Sequence, residues 1–258
     1  MNLIFIISAY RYQFILFDGT HCKKSSQDFF LTFMKTINTA QESQSMKVSP
    51  SIISSKLEIL KEQVLESVEG GADSFHIDIM DGNFVPNITV GQDFIRAVRR
   101  VTDIHLDAHM MILNPEKYWK SFADSGADLL YFHYETPFAF QRVLKEVKGH
   151  GKKIGMVINP DTPAGVLADF LPQLDRVLVM TVHPGFSGQK FIQSVLPKIR
   201  EIREMIDSTA PGVQIEVDGG INNITGKMVK DQGADIIVSA SYIYDGNIRE
   251  KISILKGL

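Results

Sequence analysis

Eight polar side chains stand where short β-branched runs end: Ser51, His76, Asp78, His109, His133, His183, Asp218 and Ser241. Four of the chain's seven histidines are among them. His76 and Asp78 are two apart, so on a strand both point to one face. With His109 and Asp218 they make an N/O ligand set suited to a divalent ion such as Zn, Mn, Fe or Co. The competing reading is that one or two of these histidines are core residues held by backbone carbonyls. Two glycine-bearing segments add a second chemistry, His183-Pro-Gly-Phe-Ser-Gly-Gln189 and Asp218-Gly-Gly-Ile221. Backbone N–H groups at such turns can approach a phosphate closely, although glycine-rich loops also serve as plain turns.

The elements that must position these residues follow from the pattern around them. Strands are expected at 47–52, 75–79, 104–109, 129–133, 153–158, 176–181, 214–218 and 235–239, with amphipathic helical stretches such as 56–69, 115–125, 138–149 and 191–206 between them. Gly-Ala-Asp before an apolar run recurs at Gly71, Gly126 and Gly233, each glycine placed to end a helix in the left-handed conformation. The spacing fits multiples of about 27 residues, and eight such units make about 216, against 213 from Met46 to Leu258. A doubly wound sheet is the alternative, but no glycine-rich turn follows the first strand. The pattern predicts an α/β fold, a single-domain (β/α)8 TIM barrel over residues 46–258. In such a barrel, strand C-termini carry the chemistry.

Composition sets the outer bounds. The 258 residues are 44% hydrophobic and 22% charged, with net charge −3. That balance fits a globular domain and offers no basic face for nucleic acid. No apolar run reaches the roughly 18–20 residues a membrane span needs. One cysteine, Cys22, excludes an intramolecular disulfide framework and fits a reducing, cytoplasmic setting. Residues 1–45 make a poor secretory signal, lacking an early Lys or Arg. They are expected to be a non-core N-terminal extension, either upstream of a translation start at Met46 or an appended targeting segment.

From Met46 onward the strings SPSI (49–52), FHIDIMDGNFVPN (75–87), LDAHMMI (106–112), VMTVHPGFSGQKF (179–191), VDGGIN (217–222) and VSAS (238–241) follow in order. In these strings the chain resembles the ribulose-phosphate 3-epimerase family. The resemblance implies one divalent metal held by His76, Asp78, His109 and Asp218, and no organic cofactor. It makes Asp78 and Asp218 the catalytic acid/base pair for inversion at C3 of a ketose phosphate through an enediolate. Two opposed carboxylates suit the task, because a proton leaves one face of the carbon and another returns to the opposite face. Substrate contacts are implied for Ser51, His109, Gly185, Phe186, Ser187, Gly188, Gly219, Gly220, Ala240 and Ser241, and an active-site cap for Met80, Met111 and Met180. D-ribulose 5-phosphate is the expected substrate; an allulose 6-phosphate epimerase and a non-catalytic sugar-phosphate-binding barrel are the alternatives. A homo-oligomer is implied, with no nucleic-acid or membrane partner. Three departures from the family pattern stand near the phosphate loops: Ser187 for glycine, Ala240 for glycine, and Tyr242 for a small residue. His183 also departs, standing in place of a polar or acidic residue.

Overall fold

The structure, a computed structural model, describes residues 45–258, which form one compact unit. The expected extension therefore lies outside the described residues, Ser45 excepted. Eight strands are described: β1 (Lys47–Pro50), β2 (Ser74–Met80), β3 (His105–Met111), β4 (Leu129–His133), β5 (Lys153–Ile158), β6 (Arg176–Met180), β7 (Gln214–Asp218) and β8 (Ile236–Ser239). All pair in parallel, in the order β1-β8-β7-β6-β5-β4-β3-β2. A single parallel bridge from Ser51 to His76 joins the two outer strands and closes the sheet into a (β/α)8 barrel.

Outside the sheet run α1 (Leu60–Glu69), α2 (Gln92–Arg99), α3 (Trp119–Asp124), α4 (Phe140–Gly149), α5 (Leu196–Thr209), α6 (Asn223–Asp231), α7 (Ser241–Tyr244) and α8 (Ile248–Lys256). Three expected helical stretches open instead as 3-10 turns, at Leu57–Ile59, Pro115–Lys117 and Gln193–Val195. The β5–β6 connection holds only two such turns, Ala164–Leu167 and Leu171–Gln173. Pro163, Gly165 and Pro172 leave no uninterrupted stretch there for a longer helix. No described helix is long and apolar enough to cross a membrane.

Period-two alternation sorts side chains into two cores. Outward residues such as Phe75, Ile77, Val177 and Ile215 pack against the helices. Inward, Leu129, Tyr131, Val157, Leu178 and Met180 fill the barrel. A Cβ added at Gly155 would lie 2.3 Å from Tyr131 Cδ1, so glycine at that position makes room for the phenol ring. Below the mouth sits a charged layer. Arg176 Nη1 donates to Asp107 Oδ2 and to Glu216 Oε2, both at 3.0 Å, and the Tyr131 hydroxyl donates to Glu216 at 2.7 Å. These buried charges are tolerable because each has a partner. Gly71, Gly126 and Gly233 all take positive φ, in line with the repeat read from the sequence.

Candidate active site

Strand geometry brings four of the expected residues to one point. His76 and Asp78 are alternate residues of β2, Asp78 lies in register with His109 on β3, and Asp218 ends β7. One ligand atom from each of the four lies within 4.8 Å of the others. His76 Nε2 is 3.0 Å from His109 Nδ1, 3.6 Å from Asp78 Oδ1 and 3.9 Å from Asp218 Oδ2. His109 Nδ1 is 3.0 Å from Asp78 Oδ1.

The outer nitrogen of each imidazole is already engaged. His76 Nδ1–H donates to Glu216 Oε1 at 3.1 Å. His133 Nδ1–H donates to Glu135 Oε2 at 3.2 Å, which leaves His133 Nε2 to accept from His109 Nε2–H at 2.8 Å. These tautomers are assigned from the network. They leave His109 Nδ1 with a lone pair aimed at His76 Nε2. Such anchoring of the outer nitrogen is the usual arrangement around metal-binding imidazoles. Two imidazoles and two carboxylates that converge this way, with no ammonium or guanidinium among them, fit a divalent ion.

The site's own charges split the two aspartates. Burial would raise Asp78, but the charge on His76 holds it well below the ordinary carboxylate range. Asp218 is raised to about 7, by burial first and then by the Asp78 carboxylate. Burial disfavours a charged His76, yet Asp78, Glu216 and Asp218 together raise its pKa well above the usual value. Burial, reinforced by the neighbouring His76 and His133, lowers His109 to about 4. Burial works against ionised Glu216 too, but the His76 hydrogen bond and Arg176 bring it down to about 2. A proton on His76 Nε2, donated to His109 Nδ1, accounts for the raised His76 and for the 3.0 Å between the two nitrogens.

Above the four lies a cavity of about 440 Å³, toward the small end of ligand sites at roughly 300–1000 Å³. Asp78 and Asp218 line it, as do Ser51, Gly185, Phe186, Ser187, Gly188, Gly219, Gly220, Ala240 and Ser241, with Met80, Met111 and Met180. Of the residues expected to touch substrate, His109 alone is not on its wall. It is fully buried, as is His76. Ser51 Oγ donates to Asp78 Oδ2 at 2.5 Å. Met80 and Met111 pack together with Val85, and Met180 belongs to the barrel interior.

The strand-end histidines divide into three roles. His76 and His109 join the aspartates, and His133 supports His109 from behind. His183 does not enter the group. Its side chain is 60% exposed, with Nδ1 3.9 Å from Asp161.

Glycine is needed at Gly220, where φ is 64° and a Cβ would lie 2.7 Å from Phe191 N. The departures are easier to accommodate. Ser187 has no positive φ, and Ala240 sits at φ −107°, so neither requires glycine's conformational freedom. The Tyr242 ring lines the cavity beneath the Lys251 ammonium, 4.5 Å from the ring centroid.

Some site residues went unnoticed in the sequence. Glu216, Asp107 and Tyr131 each precede a strand-end residue by two, so period two alone places them on the same inward face. Lys251 has no such signal, because it arrives from α8.

The sequence model described as "Ribulose-phosphate 3 epimerase family" matches residues 47–244. The chain is 46% identical over 214 residues to the ribulose-phosphate 3-epimerase of Bacillus subtilis, covering 82% of this chain and 99% of that protein. It is 43% identical to the ribulose-phosphate 3-epimerase of Synechocystis, covering 82% of this chain and 93% of the relative. Among solved structures, a 3-hexulose-6-phosphate synthase superposes with a TM-score of 0.62 at 19% identity, covering 82% of this chain and 98% of the other. A thiamine phosphate pyrophosphorylase from Pyrococcus furiosus gives 0.58 at 18%, with 83% and 95% covered. Those two likenesses speak for the barrel alone. A match over three quarters of the sequence, on the strands that build the cavity, makes this chain an isomerase of the ribulose-phosphate 3-epimerase family.

Proposed function

We propose that the chain epimerises a ketose phosphate at C3, with D-ribulose 5-phosphate and D-xylulose 5-phosphate as its two substrates. One observation carries this reading. Asp78 and Asp218, carried on two separate strands, β2 and β7, reach a single cavity. Two carboxylates that can exchange the roles of base and acid are what inversion needs. Asp78 removes the C3 proton from one face while Asp218 delivers a proton to the other, and the reverse direction exchanges their roles. A divalent ion (Zn, Mn, Fe or Co) held by His76, Asp78, His109 and Asp218 would supply Lewis-acid stabilisation of negative charge developing on the ketose oxygens. The Ser51 hydroxyl, donating to Asp78 Oδ2, leaves Oδ1 turned toward the histidines and orients the carboxylate. Met80, Met111 and Met180 offer apolar, polarizable contacts that cannot protonate the enediolate. The glycine turns at 185–188 and 219–220 offer backbone N–H groups to the phosphate.

The test is a side-by-side assay on ribulose 5-phosphate and allulose 6-phosphate, run in D2O with C3 deuterium read by NMR. Turnover of the pentulose phosphate with C3 exchange supports the reading. A large preference for the hexulose phosphate would transfer it to that substrate. Absence of exchange with either sugar would leave a binding barrel.

A further inference from the structure

A phosphate dianion entering this cavity meets three lining carboxylates; a divalent ion would offset Asp78 and Asp218, but not Asp245. Backbone N–H groups alone would have to offset that charge, unless a cation stands nearby. Among the lining residues there is one Lys or Arg, Lys251 on α8. Its position is constrained on two sides. The ammonium sits 4.5 Å from the centroid of the Tyr242 ring, an attraction worth more where water is partly excluded. Its stem runs beside Gly246, where an added Cβ would lie 3.1 Å from Lys251 Cε. Lys251 is half-buried and lines the same cavity as Gly220, Ala240 and Ser241.

We propose that Lys251 is the cationic anchor for the substrate phosphate, and that Tyr242 is the positioning residue that holds its ammonium at the cavity wall. This rests on the sugar-phosphate reading of the cavity and deepens it. An aromatic side chain beside the phosphate loops then has a use, as the platform for the lysine. A charge-assisted contact to phosphate discriminates against unphosphorylated sugars and adds to backbone donors that carry no formal charge.

Two measurements on full-length protein test the proposal, using inorganic phosphate as the probe. Competitive inhibition of the epimerase by phosphate gives Ki, and calorimetric titration with phosphate reads binding without turnover. K251M keeps the aliphatic stem and removes the charge. It should raise the phosphate Ki and the substrate KM by about tenfold or more, with kcat falling less than threefold, and flatten the salt dependence of Ki. K251R should restore most of the affinity, and Y242L should weaken phosphate binding less than K251M does. An unchanged Ki in K251M would overturn the proposal, as would a K251R variant no better than K251M. If the wild-type chain bound phosphate through Lys251 yet epimerised neither sugar, the proposed function would fail while the anchor stood.

Discussion

Asp218 is the residue on which the chemistry is most exposed to test. Asp218→Asn keeps size and removes the acid/base function, so kcat should fall by roughly 10²–10⁴-fold; near-normal turnover would remove Asp218 from the mechanism. The same carboxyl predicts how metal uptake depends on pH. In chelated protein Asp218, at about 7, and His76, raised above its usual value, both carry protons that an incoming ion must displace. Affinity should therefore rise as pH increases through 7, with protons released on binding. Calorimetry in buffers of different ionisation heat measures the release directly, and a pH-independent affinity would contradict it. One step further out, Glu216→Gln removes the carboxylate that orients His76 and pairs with Arg176. Loss of such an outer partner should cost roughly 10–100-fold in metal affinity, read by competition with a chelating dye.

Elements place these residues through two simple periods. Period two along β2, β3 and β7 aims His76, Asp78, His109, Glu216 and Asp218 inward, while the intervening apolar residues pack on the helices. Local chemistry also marks where elements end, as Gly71, Gly126 and Gly233 do with their positive φ. It is weaker at the starts, where 3-10 turns replace the opening turns of three expected helices. The inner layer depends on close fit between strands. Gly155→Val would drive a side chain into the Tyr131 ring, whose atoms lie 2.3 Å from the added Cβ. Overpacking of about 1–3 kcal/mol should lower the melting temperature by roughly 3–10 °C, followed by circular dichroism. An unchanged melting curve would mean that the barrel interior has slack at β5.

For the whole molecule, the barrel over 46–258 is expected to fold and work without residues 1–45. A truncated chain beginning at Met46 should keep its melting temperature and kcat/KM, and loss of folded protein would show that the extension belongs to the fold. The sequence by itself determined the eight strands, the parallel alternation, the four residues of the His/Asp cluster and the glycine turns on the cavity wall. Those features are written in short-range periods and in contiguous strings such as FHIDIMDGNFVPN. Only the tertiary structure decided what stands behind and beside them. It turned His133 and Glu135 into support for His109, sent His183 out to solvent beside Asp161, and brought Lys251 of the last helix to the cavity wall. The physical reason is closure. Asp78 and Asp218 are 140 residues apart in sequence, and they share a proton balance only because the Ser51–His76 seam bends the sheet into a ring. Pairings made across that ring have no period in the chain.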